Sequence, residues 1–378
     1  MTLTRYPITI TLETPAAFSD APAMGNETGT LEYIPGSALR GMLANLYLAG
    51  KKEDAAFRRL FVEECIQFSN LHPEQSWRLP LSAYSCKRQP GFLKDPSFTG
   101  PSHRVVDRLW EDFLPEPPQH CADCQQPLTQ LERTFYTGLD SALESVSPIL
   151  TSRMSTAVVG SSGSARQGSL HSQQELAAQQ TFSGYLVCSQ ADLVALQDAL
   201  GSQEFQGYLG RKRSGLVKVS LQQEGKNWDE PFVVSSPKYP GKAFAALTCT
   251  SDLILVDELL RPVSSLSTEN LAALCSPPAG VQIVKAFAAS RTVAGWLGIG
   301  KIFKENDLAI TAGSTFLLQF GENDRQVMLE WMQKLAVQGL GLRRSEGFGQ
   351  VNFSEPLHKP SWQKLERHLQ NKMEDIGL

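Results

Sequence analysis

Cysteine and histidine side chains in one proline-rich stretch have the spacing of a metal site. Cys121 and Cys124 form a C-x-x-C pair, Cys86 lies upstream, and His103 lies between them. A tetrahedral structural zinc site requires four sulfur or nitrogen ligands, and these residues supply one such set. We therefore predict zinc on Cys86, His103, Cys121 and Cys124. His120 is an alternative to His103, and a loop with free thiols is the competing interpretation.

A glycine-rich loop near the end of the sequence is the second candidate site. It reads Gly339-Leu-Gly-Leu-Arg-Arg-Ser-Glu-Gly-Phe-Gly349, with Arg343 and Arg344 adjacent. Glycines let a backbone approach a phosphate closely, and arginines donate paired hydrogen bonds to phosphate oxygens. The loop therefore predicts a phosphate-binding surface formed by Arg343, Arg344, Gly347 and Gly349. An ordinary helix-to-strand turn is the alternative.

A shorter basic loop occurs in the first half of the sequence. The segment Gly210-Arg-Lys-Arg-Ser-Gly215 places Arg211, Lys212 and Arg213 between two glycines. It follows a predicted helix and precedes a predicted strand, as the second loop does. The repeated order of helix, basic loop and strand favours a phosphate-binding function for this loop as well.

The segment Ile34-Pro-Gly-Ser-Ala-Leu-Arg-Gly41 predicts the start of a helix, with Ser37 as its N-cap. Free backbone amides at a helix start attract anions, so Gly36, Ser37 and Arg40 are candidate phosphate contacts. An ordinary capped helix start is the alternative interpretation.

Signatures of common enzymes are missing from the sequence. It contains no Walker A loop, no G-x-G-x-x-G, no H-E-x-x-H and no G-x-S-x-G. His171, near Arg166 in a Gly/Ser-rich tip, is a candidate for acid–base cleavage of RNA. A solvent-exposed loop histidine is the alternative, and we expect no catalytic residues.

Composition limits the class of protein. The 378 residues are 42% hydrophobic and 20% charged, with a net charge of −4. These values are typical of a globular protein and argue against a uniformly basic nucleic-acid-binding face. No transmembrane segment or secretory signal is visible, so we expect no membrane association and a cytoplasmic location.

The order of elements predicts an α+β fold with an internal repeat. Each half begins with a strand and ends with helix, loop and strand, which indicates two tandem ferredoxin-like units. The first unit spans residues 1–230, with a Cys/Pro-rich insertion at about 86–135 and a flexible hairpin at about 155–180. The second spans 231–378, ends in the glycine-rich loop and a C-terminal helix, and includes a hairpin of residues 296–303 and 311–320 turning at 304–307.

Together these segments resemble the RAMP superfamily of CRISPR effector proteins. The resemblance is carried by two motifs, I-P-G-S-x-x-[RK]-G at residues 34–41 and G-x-G-x-R-R-x-x-G-F-G at residues 339–349. The two-unit layout and the Cys-containing insertion are most similar to the Csx-type, 5′-tag-capping subunit of subtype III-D. The corresponding Csm and Cmr subunits are similar.

The resemblance implies a non-catalytic subunit that binds crRNA. It would grip the 5′ repeat-derived tag and contact the large cyclase/polymerase-like subunit, the backbone RAMP subunits and target RNA near the tag. The two motifs would then contribute Gly36, Ser37, Arg40, Arg343, Arg344, Gly347 and Gly349 to the RNA site. Two alternatives stay open: a RAMP endoribonuclease that processes precursor crRNA, and a zinc-stabilised protein-interaction module without RNA contact.

Overall fold

The fold is described from a computed structural model. The structure describes residues 3–19, 26–49, 53–92, 103–113, 119–138, 143–156, 161, 164, 169–236, 238–297 and 302–359. The expected C-terminal helix and Arg166 lie outside these residues. No helix in the described ranges is long and apolar enough to cross a bilayer.

The described chain contains many short strands and few long helices. The strands are β1 (Thr4–Leu12), β2 (Glu27–Thr28), β3 (Gln67–Phe68), β4 (His72–Pro73), β5 (Trp77–Arg78), β6 (Ala83–Cys86), β7 (Val106–Asp107), β8 (Leu128–Gln130), β9 (Phe135–Thr137), β10 (Glu144–Val146), β11 (Leu150–Ser155), β12 (His171–Leu176), β13 (Thr181–Cys188), β14 (Glu204–Leu209), β15 (Gly215–Leu221), β16 (Val233–Ser235), β17 (Lys242–Cys249), β18 (Gln282–Phe287), β19 (Ser290–Leu297), β20 (Ile302–Ile310), β21 (Thr315–Gly321) and β22 (Val351–Asn352). The α-helices are α1 (Gly36–Tyr47), α2 (Ala55–Phe57), α3 (Gln190–Leu200), α4 (Thr268–Cys275) and α5 (Arg325–Gln338). Short 3-10 or π turns cover Arg58–Val62, Arg108–Phe113, Arg211–Arg213, Glu322–Asp324, Arg344–Glu346 and Pro356–His358.

The first sheet is antiparallel, with strand order β14-β15-β1-β13-β3 and β4 also paired to β13. Alternate residues of β1, such as Ile8 and Ile10, are fully buried, which is the period of two expected for a half-buried strand. They share a core with Leu39 and Leu43 of α1 and with Leu193 of α3. The two helices therefore stabilise this sheet by covering its apolar side chains.

The second sheet has the strand order β16-β17-β21-β18, with β22 also paired to β17. Strand β17 is buried along almost its whole length. Its residues Ala245 and Leu247 share a core with α4 and α5, while Phe244 belongs to a second cluster that includes Trp110. The second sheet is therefore covered on both sides, by its own helices and by part of the insertion.

The insertion contains more regular structure than its proline content predicts. Strands β6, β7 and β8 form one small sheet that begins at the start of the insertion. Strand β9, at the end of the insertion, pairs with β5 and β10, which lie outside it. Buried His358 connects the insertion to the second sheet: its Nδ1 lies 2.7 Å from Asp107, and its Nε2 lies 2.9 Å from the hydroxyl of Thr248. The insertion lies within the first half of the sequence but packs on the second.

The predicted hairpin of residues 296–303 and 311–320 was wrong. Strand β19 pairs instead with β20, and Thr315–Gly321 is a central strand of the second sheet. Residues 304–307, expected to be the turn, lie within β20. Two of their charged side chains form ion pairs with the glycine-rich loop: Lys304 contacts Glu346, and Asp307 contacts Arg343.

Candidate functional sites: the loop junction, the basic turn and the metal centre

The two motifs that carry the family resemblance lie against each other. A Cβ atom added to Gly36, at the start of α1, would lie 2.8 Å from the Cα of Gly347 in the glycine-rich loop. The amide of Gly36 donates to the Oδ1 of Asn70 at 2.9 Å. Pro35, not Ser37, occupies the N-cap position, and it makes no side-chain cap hydrogen bond. The start of α1 is therefore closed by protein contacts, and its first amide already has an acceptor.

Arginines from both motifs converge on the carboxylate of Glu346. Arg343 donates to Glu346 at 2.8 Å and to Asp307 at 2.8 Å. Arg40 lies 3.6 Å from Glu346 and donates to the hydroxyl of Ser345 at 3.2 Å. We call this set of ion pairs the loop junction. Because α1 supplies Arg40, while β20 and the loop supply the other partners, the loop junction joins the two halves of the chain.

Glu346 is the anionic centre of the loop junction. Burial acts to raise the pKa of this carboxyl, but hydrogen bonds from Lys304 and Arg343 outweigh burial and lower it below its usual value. Arg343 also lies over the ring of Phe348, 4.6 Å from its centroid. Arg343, predicted to bind phosphate, is therefore already held by two carboxylates and an aromatic ring, and its contribution to RNA binding stays a prediction.

The other cations of the two basic loops make no ion pairs among the described residues. Arg344 is exposed and donates to the carbonyl of Gln338 at 2.8 Å. Arg211, Lys212 and Arg213 are all exposed, and none of the three pairs with a carboxylate among the described residues. The free positive charge is thus greater in the first loop than in the second.

The first basic loop differs from its predicted context. Strand β14 lies between α3 and the loop, so Gly210–Gly215 connects two paired strands, β14 and β15. The repeat of helix, basic loop and strand therefore holds only in the second half. Arg213 donates to the Oδ1 of Asn45 on α1 at 2.8 Å, which places this basic turn against α1.

The exposed face of α1 connects the loop junction to the basic turn. Ser37, Gly41 and Asn45 are exposed and recur every fourth residue, so they lie on one face of the helix. A Cβ added to Gly41 would meet no atom within 4 Å. Glycine inside a helix costs about 1 kcal/mol relative to alanine. No contact within the described chain requires glycine at this position, which suits a surface that another molecule approaches closely.

Gly41 and Asn45 are absent from the residues predicted on sequence grounds. Gly41 could have been chosen, because it ends the first motif and interrupts a predicted helix. Asn45 carries no sequence signal of its own, since its position depends on how α1 packs against the β14–β15 turn.

The predicted metal ligands come together as a cluster. Ligand atoms of Cys86, His103, Cys121 and Cys124 all lie within 4.8 Å of one another. The sulfurs of Cys86 and Cys124 are 3.4 Å apart, and the Nδ1 of His103 is 3.1 Å from the sulfur of Cys121. Ligand atoms around a tetrahedral zinc ion lie roughly 3.8 Å apart. The cluster can therefore hold a metal ion, with His103 rather than His120 as its nitrogen ligand.

Backbone geometry around the cluster also suits metal-bound thiolates. Burial acts to raise the pKa of Cys86, yet hydrogen bonds to the backbone at Gln89 and Arg88 and to Cys124 and His103 lower it to about 7. The pKa of the neighbouring Cys124 is raised, in part by its hydrogen bonds to Cys86 and Cys121, so without a metal the first thiolate forms on Cys86. Hydrogen bonds of this kind orient metal ligands and stabilise their charged form. The donor set of three sulfurs and one imidazole favours zinc over hard cations such as magnesium.

The candidate for RNA cleavage is exposed. His171 begins β12, and its Nδ1 lies 3.2 Å from the carbonyl oxygen of Ser169. Arg166, its expected companion, lies outside the described residues. Whether this histidine takes part in catalysis stays a prediction.

Comparison with known proteins yields structural neighbours alone. No family model and no curated protein matches the sequence. A cryo-EM structure of the type III-B Cmr-beta bound to cognate target RNA and AMPPnP is 11% identical, with a TM-score of 0.43 over 82% of this chain and 86% of that chain. Oligomeric Cmr4 from Pyrococcus furiosus is 12% identical, with a TM-score of 0.27 over 58% and 99%. The CRISPR-associated protein Cas6 is 10% identical, with a TM-score of 0.33 over 94% and 100%.

Proposed function

We propose that this chain is a non-catalytic crRNA-binding subunit of a type III CRISPR ribonucleoprotein. It grips the 5′ repeat-derived tag and links the large cyclase/polymerase-like subunit to the backbone RAMP subunits, close to the target RNA. Within this proposal it corresponds to the tag-capping subunit of subtype III-D. The two sheets are ferredoxin-like units, which the antiparallel strand order and paired helices of each sheet support. The Cys₃His cluster holds structural zinc.

The observation that carries the proposal is the exposed face of α1 and the basic turn beside it. This face presents small side chains, with open space at Gly41, so a nucleic-acid backbone can approach the helix closely. Asn45 lies nine residues beyond Gly36, which places the basic turn roughly 14 Å along the helix axis from the loop junction. Arg211, Lys212 and Arg213 then supply cations for phosphate groups.

Arg40 and Arg343 have a different function in this proposal. Their guanidinium groups hold the loop junction together through Glu346, so they position the RNA-binding surface without contacting RNA themselves. Arg344 is exposed and makes no ion pair among the described residues, so it extends the basic surface at the other end of α1.

The test is binding of labelled single-stranded repeat RNA across a salt titration. We expect Arg211→Gln and Lys212→Gln to weaken binding and to flatten the salt dependence, by about 0.7 in log–log slope for each phosphate interaction removed. Lys242→Gln removes the same charge as Lys212→Gln at another exposed site and should leave the slope unchanged.

The same assay separates the competing functions. Binding without salt dependence, or no RNA binding at all, would favour a protein-interaction module. Cleavage of the RNA in the presence of a metal chelator, lost in His171→Ala, would favour an endoribonuclease. Either result would contradict the proposed function.

A further inference from the structure

A cleft of about 530 Å³ lies between the two sheets. Residues of β1 and β13 form one wall, Gln350–Phe353 form the other, and β5 contributes Trp77 and Arg78. No residue of α1 or of the basic turn lines it. A cleft of this size accommodates a ligand as large as a nucleotide.

Arg78 is one of the cations that line this cleft. Its Nε atom is buried and has no hydrogen-bond partner, and no carboxylate pairs with it among the described residues. Its one described side-chain contact is the ring of Phe135, whose centroid lies 5.6 Å from the guanidinium carbon. The side chain of Arg78 is half-buried, and Asp252 and Glu32 attract its charge from beyond salt-bridge distance. The guanidinium can therefore form a charged hydrogen bond with an anion that enters the cleft.

Two further buried polar atoms in the lining have no hydrogen-bond partner within the described part of the chain. They are the indole Nε1 of Trp228 and the Oε2 of Glu355, a donor and a carboxyl oxygen. Most buried polar groups in folded proteins are hydrogen-bonded, so three unsatisfied groups in one cleft indicate a ligand with several polar atoms. A simple anion would satisfy Arg78 but leave the other two without partners.

Aromatic surface lies beside these groups. Arg5 lies over the indole of Trp228, 4.6 Å from its centroid, and also over Tyr185, at 5.2 Å. Arg5 therefore covers one face of the indole, and a nucleobase would stack on the plane of the Arg5 guanidinium or contact the indole edge that carries Nε1. The ligand is therefore expected to combine a planar polar ring with a negative charge.

Charges in the cleft are compatible with such an anion. Arg5, Arg78 and Lys226 are cationic, while Glu74 and Asp229 are exposed carboxylates. Burial raises the pKa of Glu355 to about 7, so near neutral pH this carboxyl is partly protonated and can donate as well as accept.

We propose that the cleft binds a nucleotide, with a phosphate on Arg78 and the base against Trp228. The phosphate accepts a charged hydrogen bond from Arg78, and polar edges of the base and sugar satisfy the indole nitrogen and Glu355. The nucleotide is either free in solution or part of a bound single-stranded RNA. This site goes beyond the proposed function. That function was assigned to the exposed face of α1 and the basic turn, and no residue of either lines the cleft.

Intrinsic tryptophan fluorescence tests the proposal. The purified chain is titrated with the four nucleoside monophosphates, with inorganic phosphate, with adenosine, and with a short oligoribonucleotide. We expect at least one nucleotide-containing ligand to bind at least tenfold more tightly than phosphate or adenosine alone. Binding of the oligonucleotide in competition with a mononucleotide identifies bound RNA as the source, whereas binding of mononucleotides alone identifies a free nucleotide.

Arg78→Gln should lower nucleotide affinity at least tenfold but lower the melting temperature only slightly, because the native guanidinium makes no salt bridge among the described residues and loses only its contact with Phe135. Lys242→Gln, the control, should change neither quantity. Equal affinity for phosphate and nucleotide, no binding of any nucleotide, or unchanged affinity in Arg78→Gln would each overturn the proposal. The variants of Arg211 and Lys212 should keep full mononucleotide binding, so failure of the proposed RNA function is recognised separately.

Discussion

Gly36 and Gly347, more than three hundred positions apart in the sequence, touch backbone to backbone. A Cβ on Gly36 would lie 2.8 Å from the Cα and 2.9 Å from the nitrogen of Gly347, closer than side chains normally approach. Gly347 also has a φ of +95°, which side chains rarely adopt. This contact fixes the loop junction against the start of α1, and it explains both glycines without reference to a ligand.

Gly347→Ala is therefore expected to destabilise the fold. The new methyl group would meet the side chain of Asn70 and the amide of Gly36, in addition to the strain of positive φ. Gly280→Ala is a matched control, because Gly280 has a φ of +83° but open space around it. We expect about 1–2 kcal/mol loss for the control and a further 1–3 kcal/mol, roughly, for Gly347→Ala. Denaturant unfolding measures both, and equal losses would show that the close contact is not as described.

Glu346→Gln should weaken the loop junction at neutral pH. The change removes the charge that holds Arg343, Lys304 and Arg40. The hydrogen bonds that Arg343 and Lys304 donate to this carboxylate contribute about 1.5–3 kcal/mol each. Denaturant unfolding at pH 7 measures the difference in unfolding free energy. Glu305→Gln, at an exposed position of β20, is the control and should have little effect.

The pH dependence of stability should report the same carboxylate. Because the pKa of Glu346 is lowered in the folded protein, its contribution is present above the unfolded-state value near 4.5 and is lost as the pH falls through the folded value. The difference in unfolding free energy between wild type and Glu346→Gln should therefore shrink at low pH. A difference that stays constant from about pH 7 to about pH 3 would contradict this explanation.

Metal content tests the Cys₃His cluster. Cys121→Ser and Cys124→Ser should each release about one zinc ion per chain, and His103→Ala should weaken metal binding. His120 is exposed and outside the cluster, so His120→Ala is the control and should keep its metal. Elemental analysis measures the outcome, and equal zinc content in all variants would exclude these ligands.

Loss of the metal should also affect the second sheet. Trp110, buried at 4% exposure, packs with Phe244 of β17, and its indole donates to the carbonyl of His358 at 3.0 Å. Proteolysis of metal-depleted protein should therefore begin in the insertion and be followed by a red shift of tryptophan emission. Cleavage in the insertion without a spectral change would show that the second sheet is independent of it.

Local patterns in the sequence were sufficient for some features. Local signals predicted a helix start at residues 34–41 and a helix before the glycine-rich loop, and cysteine spacing predicted the metal cluster. In each case the signal lies in neighbouring residues or in a chemical requirement that few side chains meet.

Other features depended on contacts between distant segments. The sequence indicated that Arg40 and Arg343 were free to bind phosphate. Their ion-pair partners, Glu346 for Arg40 and Asp307 for Arg343, become neighbours only when α1, β20 and the loop come together. The polar residues 304–307 were predicted to form a turn because their ion-pair partners are likewise distant in the sequence. Strand β14 was missed because Glu204–Leu209 is short, mixed in polarity and close to a helix.

The most direct test of the RNA surface on α1 is Gly41→Ala, measured for stability and RNA binding in the same preparation. Removing a glycine from the exposed middle of a helix should stabilise the fold by about 0.5–1 kcal/mol, since the new methyl group meets no atom of the described chain. If RNA lies against this face, the same methyl group should weaken binding of single-stranded repeat RNA severalfold. We predict this opposite pair of changes; higher stability with unchanged RNA affinity would contradict the proposed surface.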